Sequence, residues 1–259
     1  GFSSVRLTDT GQKGGSMRVM MIGDVVSQPG CDFLRQKLPA FKREQKIDAV
    51  VCNGENSAVG NGVLPHSADF LFDSGVDVIT GGNHTLRRRE IQDYLDEHPA
   101  LLRPANYPEG CYGNGWYRLD LGFASLLVIS VMGQVYLEPI GSPFSCCDRI
   151  LREGQADFTV VDFHAEATSE KLAMGYYLDG RVSALWGTHT HVPTADDRVY
   201  PKGTGYLTDV GMTGPVESVL GVEPEQSVEN FLGGVPGHFR TAEGPCKLQG
   251  AIFTLDSST

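Results

Sequence analysis

Five short segments carry the side chains best suited to chemistry, and each comes where a run of β-type apolar residues stops. Ile22-Gly23-Asp24 follows residues 19–22, and Asn53-Gly54-Glu55-Asn56 follows 49–52. Gly82-Asn83-His84 follows 76–80, and Asp162-Phe163-His164 follows 158–161. Gly187-Thr188-His189-Thr190-His191 follows 184–186. In an open α/β sheet, residues just past the strand ends gather in one crevice. The carboxylates Asp24 and Glu55, the amides Asn56 and Asn83, and His84, His164, His189 and His191 would meet there. That donor set is one for a metal site, and its size suits two ions.

Each piece has a use of its own. Gly23 lets the chain turn sharply before Asp24, whose acid can bind a hard cation. Glu55 sits on a tight Asn-Gly turn, and a carboxylate can bridge two metals through its two oxygens. Asn83 and His84 are adjacent and point different ways, so one can ligate while the other reaches a substrate. His189 and His191 lie two apart, which in extended chain puts both imidazoles on one side. Singly, each has a plain structural reading: Asp24 a loop cap, Asn53-Gly54 a turn, His84 a hydrogen-bonding histidine. Their recurrence at successive strand ends is what points to metal.

Strand and helix signals alternate along most of the chain, the α/β pattern. Strands are expected at 18–22, 49–52, 76–80, 158–161, 184–186, 206–208 and 247–255. Residues 116–121 and 125–131 read as an antiparallel pair joined at Gly122, after a Gly-, Pro- and Asn-rich loop over 107–115. Helices are expected at 31–45, 67–74, 88–97, 147–153 and 168–178, the first broken or kinked at Pro39. Residues 1–16 hold few large apolar side chains and read as a leader or disordered extension, leaving one domain over 17–259 with two sheets packed face to face.

The bulk numbers narrow the partners. A formal net charge of -11 argues against an extended groove for duplex nucleic acid, though bound metal would dominate the potential at a site for a nucleotide. No apolar run approaches the length of a membrane span. Cys31, Cys52, Cys111, Cys146, Cys147 and Cys246 show no zinc-type CxxC spacing and read as free thiols of a reducing cytoplasm. His66, His98 and His238 have no matching partners and read as surface or structural residues.

From residue 17 to about 255 the chain resembles the calcineurin-like metallophosphoesterases, specifically their YmdB-like branch. The stretches that carry the resemblance are IGDVV (22–26), NGEN (53–56), GNHT (82–85), RPAN (103–106), DFHAEATSEK (162–171), GTHTHV (187–192) and TDVGMTGP (208–215). The resemblance implies a four-layer α/β/β/α sandwich with a dinuclear site, usually of iron; manganese or zinc suits the same ligands. Asp24, Glu55, Asn56 and His191 would hold the first ion. Glu55 would bridge to the second, completed by Asn83, His164 and His189. A water shared by the ions would attack phosphorus, and His84 would protonate the leaving oxygen.

Most calcineurin-like enzymes carry Asp-x-His at the first strand end; here Val25-Val26 follow Asp24, and Asn56 is the nearest replacement ligand. Two divalent ions, less Asp24, Glu55 and a bridging hydroxide, leave about +1, which suits a phosphodiester monoanion. The implied activity is hydrolysis of small phosphodiesters, 2',3'-cyclic nucleotides first, by a homo-oligomer. A broad phosphomonoesterase and a nucleotide-sensing regulatory protein stand as alternatives. Where the family commonly has Trp and an acid, Leu86-Arg87 stand, and Gly133-Gln134 replace an expected basic residue; both are expected at the substrate pocket. Arg87, Arg88 and Arg89 read as an anion-attracting rim or as an exposed helix start. Residues 209–214 read as a flexible loop able to close over a nucleotide, or as a structural turn.

Overall fold

The computed structural model describes residues 2–6, 15–235 and 237–257. In chain order its elements are β1 (Phe2–Arg6), β2 (Ser16–Ile22), β3 (Asp24–Val25), α1 (Ser27–Glu44), β4 (Ala49–Asn53), α2 (Pro65–Asp73), β5 (Val78–Thr80) and α3 (Ile91–Glu97). There follow β6 (Trp116–Asp120), β7 (Ser125–Met132), α4 (Pro143–Glu153), β8 (Phe158–His164), α5 (Thr168–Leu178) and β9 (Ala184–Thr188). The chain ends with β10 (Arg198–Val199), β11 (Gly205–Leu207), β12 (Met212–Pro215), α6 (Pro224–Phe231), β13 (Cys246–Lys247) and β14 (Gly250–Asp256).

One sheet runs β1-β14-β2-β4-β5, and a second runs β10-β11-β9-β8-β7-β6. β2, β4 and β5 are mutually parallel, as are β7, β8, β9 and β11, so the site-bearing strands point their carboxyl ends the same way within each sheet. A small ribbon, β13-β12-β3, includes Asp24 itself, which pairs with Met212 of β12.

Strand periodicity accounts for the layers. Along β2 and β4, Val19, Met21, Ala49 and Val51 point between the sheets, where they meet Leu126, Val128, Val160, Trp186 and Phe253. Their alternates Met20, Ile22, Val50 and Cys52 point outward and pack on Leu34 and Leu38 of α1 and Leu71 of α2. On the far side of the second sheet, Leu127, Ile129, Val161 and Phe163 pack under Cys147 and Ile150 of α4 and Met174 and Leu178 of α5. Three successive cores separate four layers, α/β/β/α. β7 is buried along its whole length, which is why its sequence is a continuous apolar run without alternation.

Several expectations need adjustment. α1 begins at Ser27, not 31, and continues past Pro39 to Glu44. Pro29 lies in its first turn, where a missing N–H costs nothing. α4 begins at Pro143, with the Ser142 hydroxyl accepting the Ser145 N–H at 3.4 Å. The expected strand 247–255 is split in two around Leu248-Gln249. β5 starts at Val78 and α3 at Ile91. The loop expected over 209–214 is instead buried throughout, and Met212–Pro215 form a strand against β3 and β13. Of the stretch 1–16, Phe2–Arg6 lie parallel to β14 and Ser16 opens β2, while Gly1 and residues 7–14 fall outside the described residues. Among the described residues no helix is long and apolar enough to cross a membrane, and the six cysteines are free thiols.

Leu126→Ala, in the core between the sheets, should lower unfolding free energy by about 2–5 kcal/mol. Leu232→Ala, at a position 83% exposed, should stay within about 0.5 kcal/mol of the parent. Equilibrium urea unfolding of the two variants checks the contrast.

Candidate metal centre

Glu55 is the meeting point. Its turn is braced by Asn53, whose Oδ1 accepts the Glu55 N–H at 3.1 Å, so the first asparagine of the segment shapes the turn. Glu55 Oε1 stands 3.0 Å from His164 Nε2 and accepts the Asn56 amide at 3.2 Å. On one side, His191 Nε2 lies 3.4 Å from Asn56 Nδ2 and 3.1 Å from Asp24 Oδ2. On the other, His164 Nε2 lies 3.1 Å from Asn83 Oδ1 and 3.2 Å from His189 Nδ1. The seven residues expected as ligands therefore form one contact chain running from Asp24 to His189 through Glu55. His84 joins it: its backbone N–H donates to Glu55 Oε2 at 2.7 Å, and its Nδ1 is 3.2 Å from Oε1.

Close backbone approach makes this convergence possible. A Cβ on Gly82 would fall 2.3 Å from His164 Nε2 and 2.4 Å from Glu55 Oε2. At Gly23 it would fall 2.1 Å from the Gly211 carbonyl oxygen, so this glycine is needed for space beside β12.

His189 and His191 depart from the extended conformation expected of them. Their φ angles are +100° and +64°, so the imidazoles diverge, one toward His164 and the other toward Asp24. His189 Nε2 is engaged by Glu166 at 2.6 Å.

Charge is concentrated in little solvent. Burial opposes ionisation of Asp24, but the His191 imidazole beside it leaves its pKa below the usual carboxylate value. Burial acts the same way on Glu55, yet His164 and His84 hold it well below the carboxylate range. Burial disfavours the charged form of His164, but Glu55 raises its pKa to about 9, and His191 is raised by Asp24. His189 is lowered by burial and by the neighbouring His164. The two carboxylates thus favour the charged form of His164 and His191, and a cation bound at the same donors would compete with those protons.

The residues fit metal ions. Glu55, His164 and His189 offer one ligand atom each, all within 4.8 Å of one another. Asp24 Oδ1 is buried with no hydrogen-bond partner among the described residues, an orphan that a cation would satisfy. Imidazole, amide and carboxylate together are donors for iron, manganese or zinc.

Residues that sequence reasoning left without a role stand behind these donors. Asp162, on β8, accepts from the Thr188 hydroxyl at 2.7 Å, from Asn53 Nδ2 at 3.4 Å and from Thr80 Oγ1. It thereby ties the strand ends of the two sheets together, and Thr188 Oγ1 lies 2.8 Å from His164 Nδ1. Burial lifts its pKa to about 6. An acid inside the apolar run VVDF was the available signal.

A cavity of about 390 Å³ opens beside the cluster, within the range of small-molecule sites. Its lining combines Glu55, Asn56, His84, His189 and His191 with the apolar Leu220, Val222 and Phe239. Arg87 lines it too, whereas Arg88 is turned away to the Asn61 and Val59 carbonyls at 3.2 and 2.5 Å. Gln134 is not among the lining residues: its N–H goes to Glu170 at 3.0 Å and its side-chain amide to Ile140 O at 2.6 Å. Tyr94 and His98 stack with ring centroids 3.6 Å apart, a structural role for that histidine.

The four layers, with donors converging from the strand ends, define the metallophosphoesterase fold, and the class is that of hydrolases acting on phosphoester bonds. The chain belongs to the YmdB-like protein family, whose model matches residues 20–259. It is 45% identical over 245 residues to the 2',3'-cyclic-nucleotide 2'-phosphodiesterase of Bacillus subtilis, covering 94% of this chain and 93% of that one. A crystal structure of a hypothetical protein from Thermus thermophilus superposes with a TM-score of 0.86 at 42% identity, covering 92% of this chain and 100% of that one. That of a novel phosphatase from Mycoplasma pneumoniae gives 0.89 at 34% identity, covering 95% and 90%.

Gly82→Ala should preserve the fold but push His164 and Glu55 apart. A crystal structure of the variant should show their 3.0 Å contact broken, and transition-metal uptake by dialysed protein should fall.

Proposed function

We propose that this chain is a dinuclear-metal phosphodiesterase acting on small cyclic phosphodiesters, with 2',3'-cyclic nucleotides first among them. One observation carries the reading: the unbroken contact chain Asp24–His191–Asn56–Glu55–His164–His189, with Asn83 beside His164, in which a single carboxylate stands between two ligand groups. Asp24, Asn56 and His191 would hold one ion and Asn83, His164 and His189 the other, with Glu55 between them serving both. Iron is the proposed metal. When bound, such ions would supply activation of water and neutralisation of charge on the phosphoryl oxygens.

The protein's own groups do the rest. His84 is 25% exposed at the cavity wall, and its contact with Glu55 through Nδ1 leaves Nε2 to hand a proton to the leaving oxygen. The hydrogen bond from its backbone N–H to Oε2 fixes the Glu55 carboxylate between the two ligand groups. Arg87 supplies positive charge at the rim for an anionic substrate. The substrate preference is supported by the likeness to the Bacillus subtilis enzyme. The Mycoplasma pneumoniae structure, described as a phosphatase, makes monoester cleavage the competing reading.

Metal-loaded protein should cleave bis-p-nitrophenyl phosphate faster than p-nitrophenyl phosphate and should open 2',3'-cyclic AMP. Faster monoester cleavage would replace the diesterase reading with that of a phosphomonoesterase. His84→Asn should cut kcat by roughly 10²–10⁴-fold while elemental analysis still finds the parental metal content. Undiminished turnover would remove His84 from the role of acid.

A further inference from the structure

We infer that the buried Lys171–Asp209 ion pair positions the His189-Thr190-His191 loop and, through it, sets the affinity of the metal pair; the inference rests on the metal-site reading above. Lys171 on α5 and Asp209, just past β11, are each 1% exposed, with Nζ 3.0 Å from Oδ2. The same Oδ2 accepts the Thr190 N–H at 3.2 Å and the Thr190 hydroxyl at 2.8 Å. Oδ1 accepts the Gly211 N–H at 2.8 Å. One carboxylate thus holds the centre of the loop, the segment leading into β12 and the lysine of a helix.

The loop needs such an anchor. Thr190 stands between two histidines at φ +100° and +64°, a region that non-glycine residues occupy only when the surroundings hold them there. With Thr190 fixed to Asp209, the flanking imidazoles are sent to opposite sides of Glu55. Lys171 makes the anchor tenable, because a buried carboxylate without a counter-charge is strongly unfavourable. Space for the lysine comes from Gly187: a Cβ there would lie 2.7 Å from Lys171 Cε and 1.8 Å from the Thr208 carbonyl oxygen. Neither Lys171 nor Asp209 lines the cavity, so both act through the histidines and not on substrate.

The test titrates metal-free protein with cobalt(II), read by its visible absorption, alongside thermal unfolding of the metal-free forms. The charge-neutral double variant Lys171→Met/Asp209→Asn removes the pair without leaving one charge buried alone. Thr190→Val removes the hydroxyl contact to Asp209, together with the hydroxyl's contacts to the Val192 backbone inside the loop, and leaves the Lys171–Asp209 pair in place. The double variant should unfold cooperatively near the parental temperature, yet bind cobalt roughly 10- to 100-fold more weakly, with an altered visible band. Thr190→Val should show a smaller loss in the same direction, and it decides the matter if the double variant does not fold. Parental affinity and an unchanged band in the folded variants would overturn the inference and leave the metal site standing. A parent that takes up no cobalt would overturn the metal-site reading itself, and this inference with it.

Discussion

A carboxylate buried among imidazoles is the constraint on which this structure turns. Glu55 is 1% exposed and has His164, His84 and Asn56 within hydrogen-bonding distance. Taking an ionised group out of water costs several kcal/mol unless charge and hydrogen bonds are returned to it. That demand explains the surroundings: imidazoles whose charged form the carboxylates favour, set where cations could also answer the buried charge. It also explains the glycines, since only a backbone without Cβ lets the β5 strand end approach Glu55 and His164 so closely.

The fold meets that demand with strand ends. β4 and β5 bring Glu55 and Asn83 from one sheet, β3 of the ribbon, directly after β2, brings Asp24, and β8 and β9 bring His164, His189 and His191 from the other sheet. The sheets are held together by the apolar core between them and, near the site, by Asp162, which takes hydrogen bonds from Thr80 and Asn53 of the first sheet and Thr188 of the second. The site is therefore a product of the interface between sheets. Substitutions in that interface should reach the site through the positions of the strand ends.

Much of this was legible in the sequence, for a physical reason. Parallel strands buried on both faces must be apolar runs, so their ends are marked by polar residues, and the candidate ligands lie within a few positions of those ends. The layers and the site-bearing strands could be read for that reason. The rest depends on contacts distant in sequence. β3, β12 and β13 are short strands that exist only through their pairing with one another. The α1 start escaped because its cap, Val26, makes no side-chain cap hydrogen bond. The divergence of His189 and His191 is dictated by Asp209 and Lys171, which no local pattern connects to them. The burial of 209–214 likewise follows from the β3–β12 pairing, where composition alone suggested a mobile loop.

Where the metal ions sit is the most direct test of the whole account. Anomalous diffraction at the iron edge, or at that of the metal supplied, should show two peaks flanking the Glu55 carboxylate. One should lie toward Asp24, Asn56 and His191, the other toward Asn83, His164 and His189. A single peak, or ions bound away from Glu55, would contradict it.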